Sequence, residues 1–145
     1  MISLLFKKKE EKKKEDNLPD LKWEKSPSGK FYRLITINEN APGLINQGGV
    51  LLIWAKWAKR TIWLHVGSSS NLSKSLALAK ENKEILQYNE KGGVGVTWAL
   101  VNPRYINGIT KYLKESLKPE LEIKDLDDSV NFDNEKPYPV KIPIV

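Results

Sequence analysis

The sequence predicts an α/β (α+β) domain. Its expected architecture is a small central antiparallel sheet of about three strands, flanked by helices, with extended segments at both ends. Three observations carry this reading. "VLLIWAKWAK", Val50 to Lys59, is apolar on both alternating faces at its start, as in a central strand covered on both sides. "RTIWLHVG", Arg60 to Gly67, follows directly, so the two runs form a hairpin with "KWAKR" near its turn. "NPRYINGITKYLKESLKP" has the apolar period, start signal and stop signal of an amphipathic helix.

Composition bounds the rest. A chain of 145 residues suits one domain with tails, and 40% hydrophobic content with five Trp is enough for a core. No cysteine is present, which excludes disulfides, thiolate catalysis and Cys-ligated zinc. A single histidine, His65, excludes a multi-His metal site. The net charge of +6 suits contact with phosphate backbones or anionic surfaces. No apolar run reaches membrane-spanning length, and "MISLLFKKKEEKKKED" lacks the layout of a signal peptide. The expected setting is cytoplasmic.

Along the chain, residues 1–19 read as a charged tail with no core-forming period, and residues 20–145 as a single domain with its core at 49–119. "KFYRLITI", Lys30 to Ile37, reads as a strand after the turn "SPSG". "NENAPGLINQGG" is a loop by its Asn, Pro and Gly content. After the hairpin, Ser70 is placed to cap a helix beginning at Asn71, with Leu72, Leu76 and Ala79 on one face. "ENKEILQYNE" continues it or forms a second short helix. "GGVGVTWALV", Gly92 to Val101, reads as a third strand. Its glycines precede a strand instead of joining a strand to a helix, so they are not a phosphate loop.

Asn102 and Pro103 then start the clearest helix, and Pro119 stops it. Gly108 in its middle costs about 1 kcal/mol against Ala, and it reads either as room for the close approach of a neighbour or as mere drift. "ELEIKDLDDSVNFDNE" carries seven carboxylates against one lysine, and residues 120–136 read as a solvated acidic loop. "DLDD" lacks the glycine and terminal glutamate of a calcium loop. Residues 137–145 read as an extended segment, an edge strand at most given the prolines.

Taken together, "GGVLLIW", "WLHVGSSSNLSKSL" and "YLKESLKP" resemble the GIY-YIG nuclease superfamily over Gly49 to Pro119, about half of the chain. The resemblance implies a three-stranded antiparallel sheet with helices, and phosphodiester hydrolysis with one divalent metal. It also implies a tyrosine network to activate water, an arginine for the phosphate and a helix glutamate for the metal. The pattern's structural positions match Gly49, Gly67, Asn71, Leu72, Leu113 and Pro119. Its catalytic positions fall at Leu51, His65, Ser75 and Thr110, none of which is the family's residue. Leu51 cannot relay a proton, Ser75 brings no charge to a phosphate, and Thr110 is a poor Mg²⁺ ligand by itself. No catalytic residue, resident metal or cofactor is therefore expected.

The leading expectation is a catalytically inactive GIY-YIG-like domain that binds nucleic acid or serves as an accessory module. The candidate nucleic-acid-binding residues are Lys56, Lys59 and Arg60 at the hairpin, Lys74 beside the old cleft, and Arg104, Lys111, Lys114 and Lys118 on the late helix. Trp54, Trp57 and Trp63 are stacking candidates wherever they are exposed, with a place in the core as the expectation. A second reading has the altered cleft receiving a protein partner, with the acidic segment lying on the basic surface of the same molecule. A third is a divergent Mg²⁺-dependent endonuclease with His65 as base.

Overall fold

A computed structural model of the chain describes residues 18–90, 92–129 and 134–145. The charged N-terminal segment up to residue 17 lies outside the described residues. Four strands make one antiparallel sheet: β1 (Tyr32–Arg33), β2 (Gly49–Trp57), β3 (Arg60–Ser69) and β4 (Val94–Ala99), in the spatial order β1-β4-β2-β3. Three α-helices accompany it: α1 (Leu72–Glu81), α2 (Lys83–Asn89) and α3 (Pro103–Leu117). The architecture is thus mixed α and β with an antiparallel sheet. The sheet has four strands where about three were expected, because the short β1 adds a rung to β4.

β2 explains the two-sided apolar run. Leu51, Ile53 and Ala55 enter one core with Leu72, Leu76 and Ala79 of α1. Val50, Leu52 and Trp54 enter a second core with Ile109 and Leu113 of α3. The alternating side chains of one strand therefore feed two layers, with α1 and α3 on opposite faces of the sheet. Trp54 sits between Phe31, at a ring separation of 5.2 Å, and Trp63, at 5.7 Å.

Local chemistry corrects several sequence expectations. The strand expected over Lys30 to Ile37 is cut to two residues, and Leu34–Thr36 forms a 3₁₀ turn. Leu34 and Ile37 are both buried while Ile35 is exposed, a spacing of three that a turn satisfies and a pleat does not. Asn71, not Ser70, caps α1 by accepting from the Lys74 N–H. Ser70 is otherwise engaged: its N–H and hydroxyl both donate to the Asp128 carboxylate, at 2.6 and 2.8 Å. "ENKEILQYNE" resolves into the separate α2, capped by Asn82. Asn102 caps α3, and Lys118 ends it in a left-handed conformation.

Gly108 does admit a neighbour. A Cβ there would lie 2.8 Å from the Lys136 carbonyl oxygen, and the Gly108 carbonyl accepts from the Tyr138 N–H at 2.9 Å. The segment after residue 136 is extended but joins no strand, and it is held by that bond and by fully buried Val140. The acidic stretch is not simply a solvated loop. Leu126 in the 3₁₀ turn Lys124–Leu126 is 1% exposed and belongs to the first core. Residues 130–133 of that stretch lie outside the described residues. No helix among the described residues is long and apolar enough to cross a membrane.

Candidate functional site

The four positions onto which the GIY-YIG resemblance maps catalytic roles are all buried. Leu51 packs in the core shared with α1. The Ser75 hydroxyl bonds the Ser69 hydroxyl at 2.6 Å inside the protein. The Thr110 hydroxyl donates to the Ile106 carbonyl at 2.7 Å, back along its own helix. His65 is 2% exposed. Leu51, Ser75 and Thr110 are packed inside, while His65 lines a cleft at the edge of β3. The four do not fit a divalent ion: none is a carboxylate, and the Thr110 oxygen is already committed. Among the described residues no group of three or more His, Asp or Glu stands together as a metal site.

His65 is nonetheless an unusual group. Burial is the main cause that lowers its pKa from 6.5 to about 4. Lys114 pushes the same way, while Asp127 and a hydrogen bond to the Leu126 backbone oppose the shift. The ring is neutral near pH 7, and among the described residues its Nε2 has no partner. Asp127 is held below the usual carboxylate range. Burial raises its pKa, but bonds from Lys114 and Ser129 outweigh that. Its carboxylate also accepts from the Ser68 N–H at 3.1 Å, which ties the acidic segment to the end of β3. His65, Lys114, Asp127 and Ser129 share a cleft of about 510 Å³ along the outer edge of β3.

The eight candidate cations do not form one surface. Lys74 is exposed on α1, and Arg104, Lys111, Lys114 and Lys118 lie on α3, across the sheet from it. Lys114 pairs with Asp127, and the Lys111 Nζ donates to the Glu135 carbonyl at 2.7 Å. The acidic segment thus reaches the basic helix within the same molecule. Arg104 sits at the far end of α3, 5.8 Å from the Tyr105 ring.

Lys56, Lys59 and Arg60 do cluster, at the tip of the β2–β3 hairpin. Lys56 donates to the Thr61 hydroxyl at 2.8 Å and to the Val145 carbonyl at 2.6 Å. Between the cations stands Trp57, 48% exposed, while Trp54 is buried and Trp63 packs against it. Of the three stacking candidates, Trp57 alone is exposed.

The residues of the turn itself run against expectation. Trp57 pairs with Arg60, so Ala58 and Lys59 are the whole loop, with φ of 51° and 63°. A two-residue hairpin with both φ positive calls for Asn-Gly or similar residues. Ala and Lys hold it at a cost of about 1 kcal/mol or more each. The only sequence signal is the hairpin spacing, which leaves two residues between the paired ends.

No family model matches the chain, and neither the curated proteins nor the solved structures include a significant match to it. Function must therefore be read from the chain's own residues.

Proposed function

We propose that the chain is a non-catalytic, GIY-YIG-like module that binds nucleic acid through the β2–β3 hairpin tip. One observation carries the reading: Lys56, Trp57, Lys59 and Arg60 are all exposed at the end of one hairpin. An exposed indole among cations is the combination that single strands need. The ring stacks on a base whatever its identity, and the cations follow the phosphates. The left-handed Ala58 and Lys59 add weight, because backbone strain collects at functional positions. The α3 face contributes less, since Asp127 neutralises Lys114.

The non-catalytic part of the reading rests on residue identity. Leu51, Ser75 and Thr110 cannot supply proton transfer, positive charge or metal ligation, and each is packed away. His65 has basic nitrogens, but its Nε2 is buried. A cytoplasmic setting accords with the lack of cysteine.

The test is intrinsic fluorescence with an oligothymidylate. Stacking on Trp57 should quench emission, and Trp57→Ala should weaken binding by about 1–3 kcal/mol. Lys59→Glu with Arg60→Glu should weaken it further, while Lys111→Glu should have a small effect. Equal losses from the hairpin and α3 variants would remove the hairpin from the account.

A further inference from the structure

The end of the sheet that carries the hairpin tip has a second cationic feature, on the side of β4. Arg33 pairs with Gly95, and Gly95 pairs with Trp54, so these three share one face of the sheet. Lys56, two residues on from Trp54, points to that face too. Ala55 pairs with Val94, which puts Lys56 beside Gly93 in the next row. The Arg33 side chain runs along β4 into that row: a Cβ on Gly93 would lie 3.7 Å from its Cζ and Nη1. The guanidinium thus stands about one strand spacing, about 5 Å, from the foot of the Lys56 side chain.

The glycines at the start of β4 make this approach possible. A Cβ on Gly92 would lie 2.4 Å from the Lys56 carbonyl oxygen, so only glycine lets the lead-in to β4 press against β2. A Cβ on Gly95 would lie 2.5 Å from the Trp54 Cε2, so its absence lets the indole lie across β4. Gly93, at a φ of 92°, sets no side chain between the two cations. These glycines are still not a phosphate loop, since they lead into a strand. Their part is to clear a floor. The result is a cleft of about 180 Å³, lined by Arg33, Trp54, Lys56 and Gly93 together with Val145.

Access, charge and size select the occupant. Arg33, Lys56 and Gly92 are exposed, so a ligand reaches them from solvent. Among the described residues no Asp or Glu lines the cleft, and neither cation pairs with a carboxylate side chain. Nothing among them accepts a bond from the Arg33 guanidinium, whose fork of donors fits an oxyanion. Lys56 gives two of its three N–H groups to the Thr61 hydroxyl and the Val145 carbonyl, and one is left. Pockets for whole small molecules run to about 300–1,000 Å³. A cleft of this size takes one anionic group and not a nucleotide.

We propose that this cleft is a backbone-phosphate subsite for the nucleic-acid strand that stacks on Trp57, with Arg33 as its principal ligand. The strand then turns from the hairpin tip across β4 toward β1 and does not run down α3. The proposal rests on nucleic-acid binding at the tip. Lys56 and Trp57 are consecutive and point to opposite faces, so a strand stacked on Trp57 passes round the end of β2 to reach the cleft. Arg33 orients the phosphate through its planar fork, and Lys56 adds a point charge from the neighbouring row.

The test is fluorescence anisotropy of the full chain with a labelled oligothymidylate over a series of salt concentrations. Arg33→Gln, at an exposed position, should weaken binding about threefold to fivefold at low salt, as for one exposed charge contact. It should also flatten the salt slope by about 0.7–1, for one phosphate no longer neutralised. Lys30→Gln removes an exposed charge just before β1 and outside the cleft, and it should leave both values close to wild type. An unlabelled glutamate oligomer of equal charge should displace the strand poorly. If Arg33→Gln matches wild type while Lys59→Glu with Arg60→Glu loses binding, the subsite is overturned and the tip stands. Equal losses from Arg33→Gln and Lys30→Gln would show a diffuse field and overturn it too. Equal displacement by the glutamate oligomer would make this corner a general anion surface, against the proposal. No binding by the wild-type chain would overturn the reading of the tip and the subsite with it.

Discussion

His65 gives the sharpest stability prediction, because it is the only histidine of the chain. Above pH 6.5 the ring is neutral in the folded and unfolded states, and it makes no difference between them. Below 6.5 the unfolded chain takes up a proton that the folded protein refuses until about pH 4. Stability is full above the unfolded value and falls as the pH drops through that window. The whole gap corresponds to about 3 kcal/mol, and the part between about pH 7 and about pH 5 to about 2 kcal/mol. Asp127 acts lower: its lowered pKa stabilises the fold above the ordinary carboxylate range and is lost only in stronger acid. Urea unfolding followed by tryptophan fluorescence at a series of pH values reads the slope. His65→Gln should flatten it between about pH 7 and about pH 5, whatever the variant does to absolute stability. A wild-type curve already flat in that window would refute the reasoning, as would a variant as steep as wild type.

Other expectations rest on packing and backbone. Leu126→Ala should cost about 2–5 kcal/mol by urea unfolding, because it empties a core site. A loss below about 0.5 kcal/mol would return the acidic stretch to the surface. Gly49→Ala should cost about 1–3 kcal/mol or more, since its Cβ would lie 2.3 Å from the Ala99 carbonyl oxygen, which is backbone. An unchanged urea midpoint would contradict that close approach. Ala58→Gly should stabilise by about 1 kcal/mol by relieving a left-handed alanine. A lower midpoint would mean that the turn is not strained.

Much of the fold is legible in the sequence because its signals are local. The two-sided run of β2 and the Asn-Pro start of α3 each declare themselves within a few residues. The features that stay hidden depend on groups distant in sequence. Ser70 is a good cap by type, but Asp128 claims its hydroxyl from 58 residues away. Nothing near Leu126 says that it folds back onto α1 and β3, because its neighbours are acidic. The candidate site divides in the same way. Residue identity shows that Leu51, Ser75 and Thr110 lack the chemistry that the GIY-YIG resemblance would call for, but not that they are sealed in. Eight cations look equivalent in the sequence. Only the fold pairs Lys114 with Asp127 and sets Lys56, Trp57, Lys59 and Arg60 together at one tip.

The central claim is that the protein holds nucleic acid without cutting it. Its most direct measurement is fluorescence anisotropy with single-stranded, duplex and branched DNA, in Mg²⁺ and at two salt concentrations, followed by a check of the DNA's length. The account predicts salt-sensitive binding, strongest for the single strand, with the DNA intact. Lys59→Glu with Arg60→Glu should lower the salt slope by about 1 for each phosphate that is no longer neutralised. No binding at low salt would contradict the claim, and so would Mg²⁺-dependent cleavage by the wild-type chain.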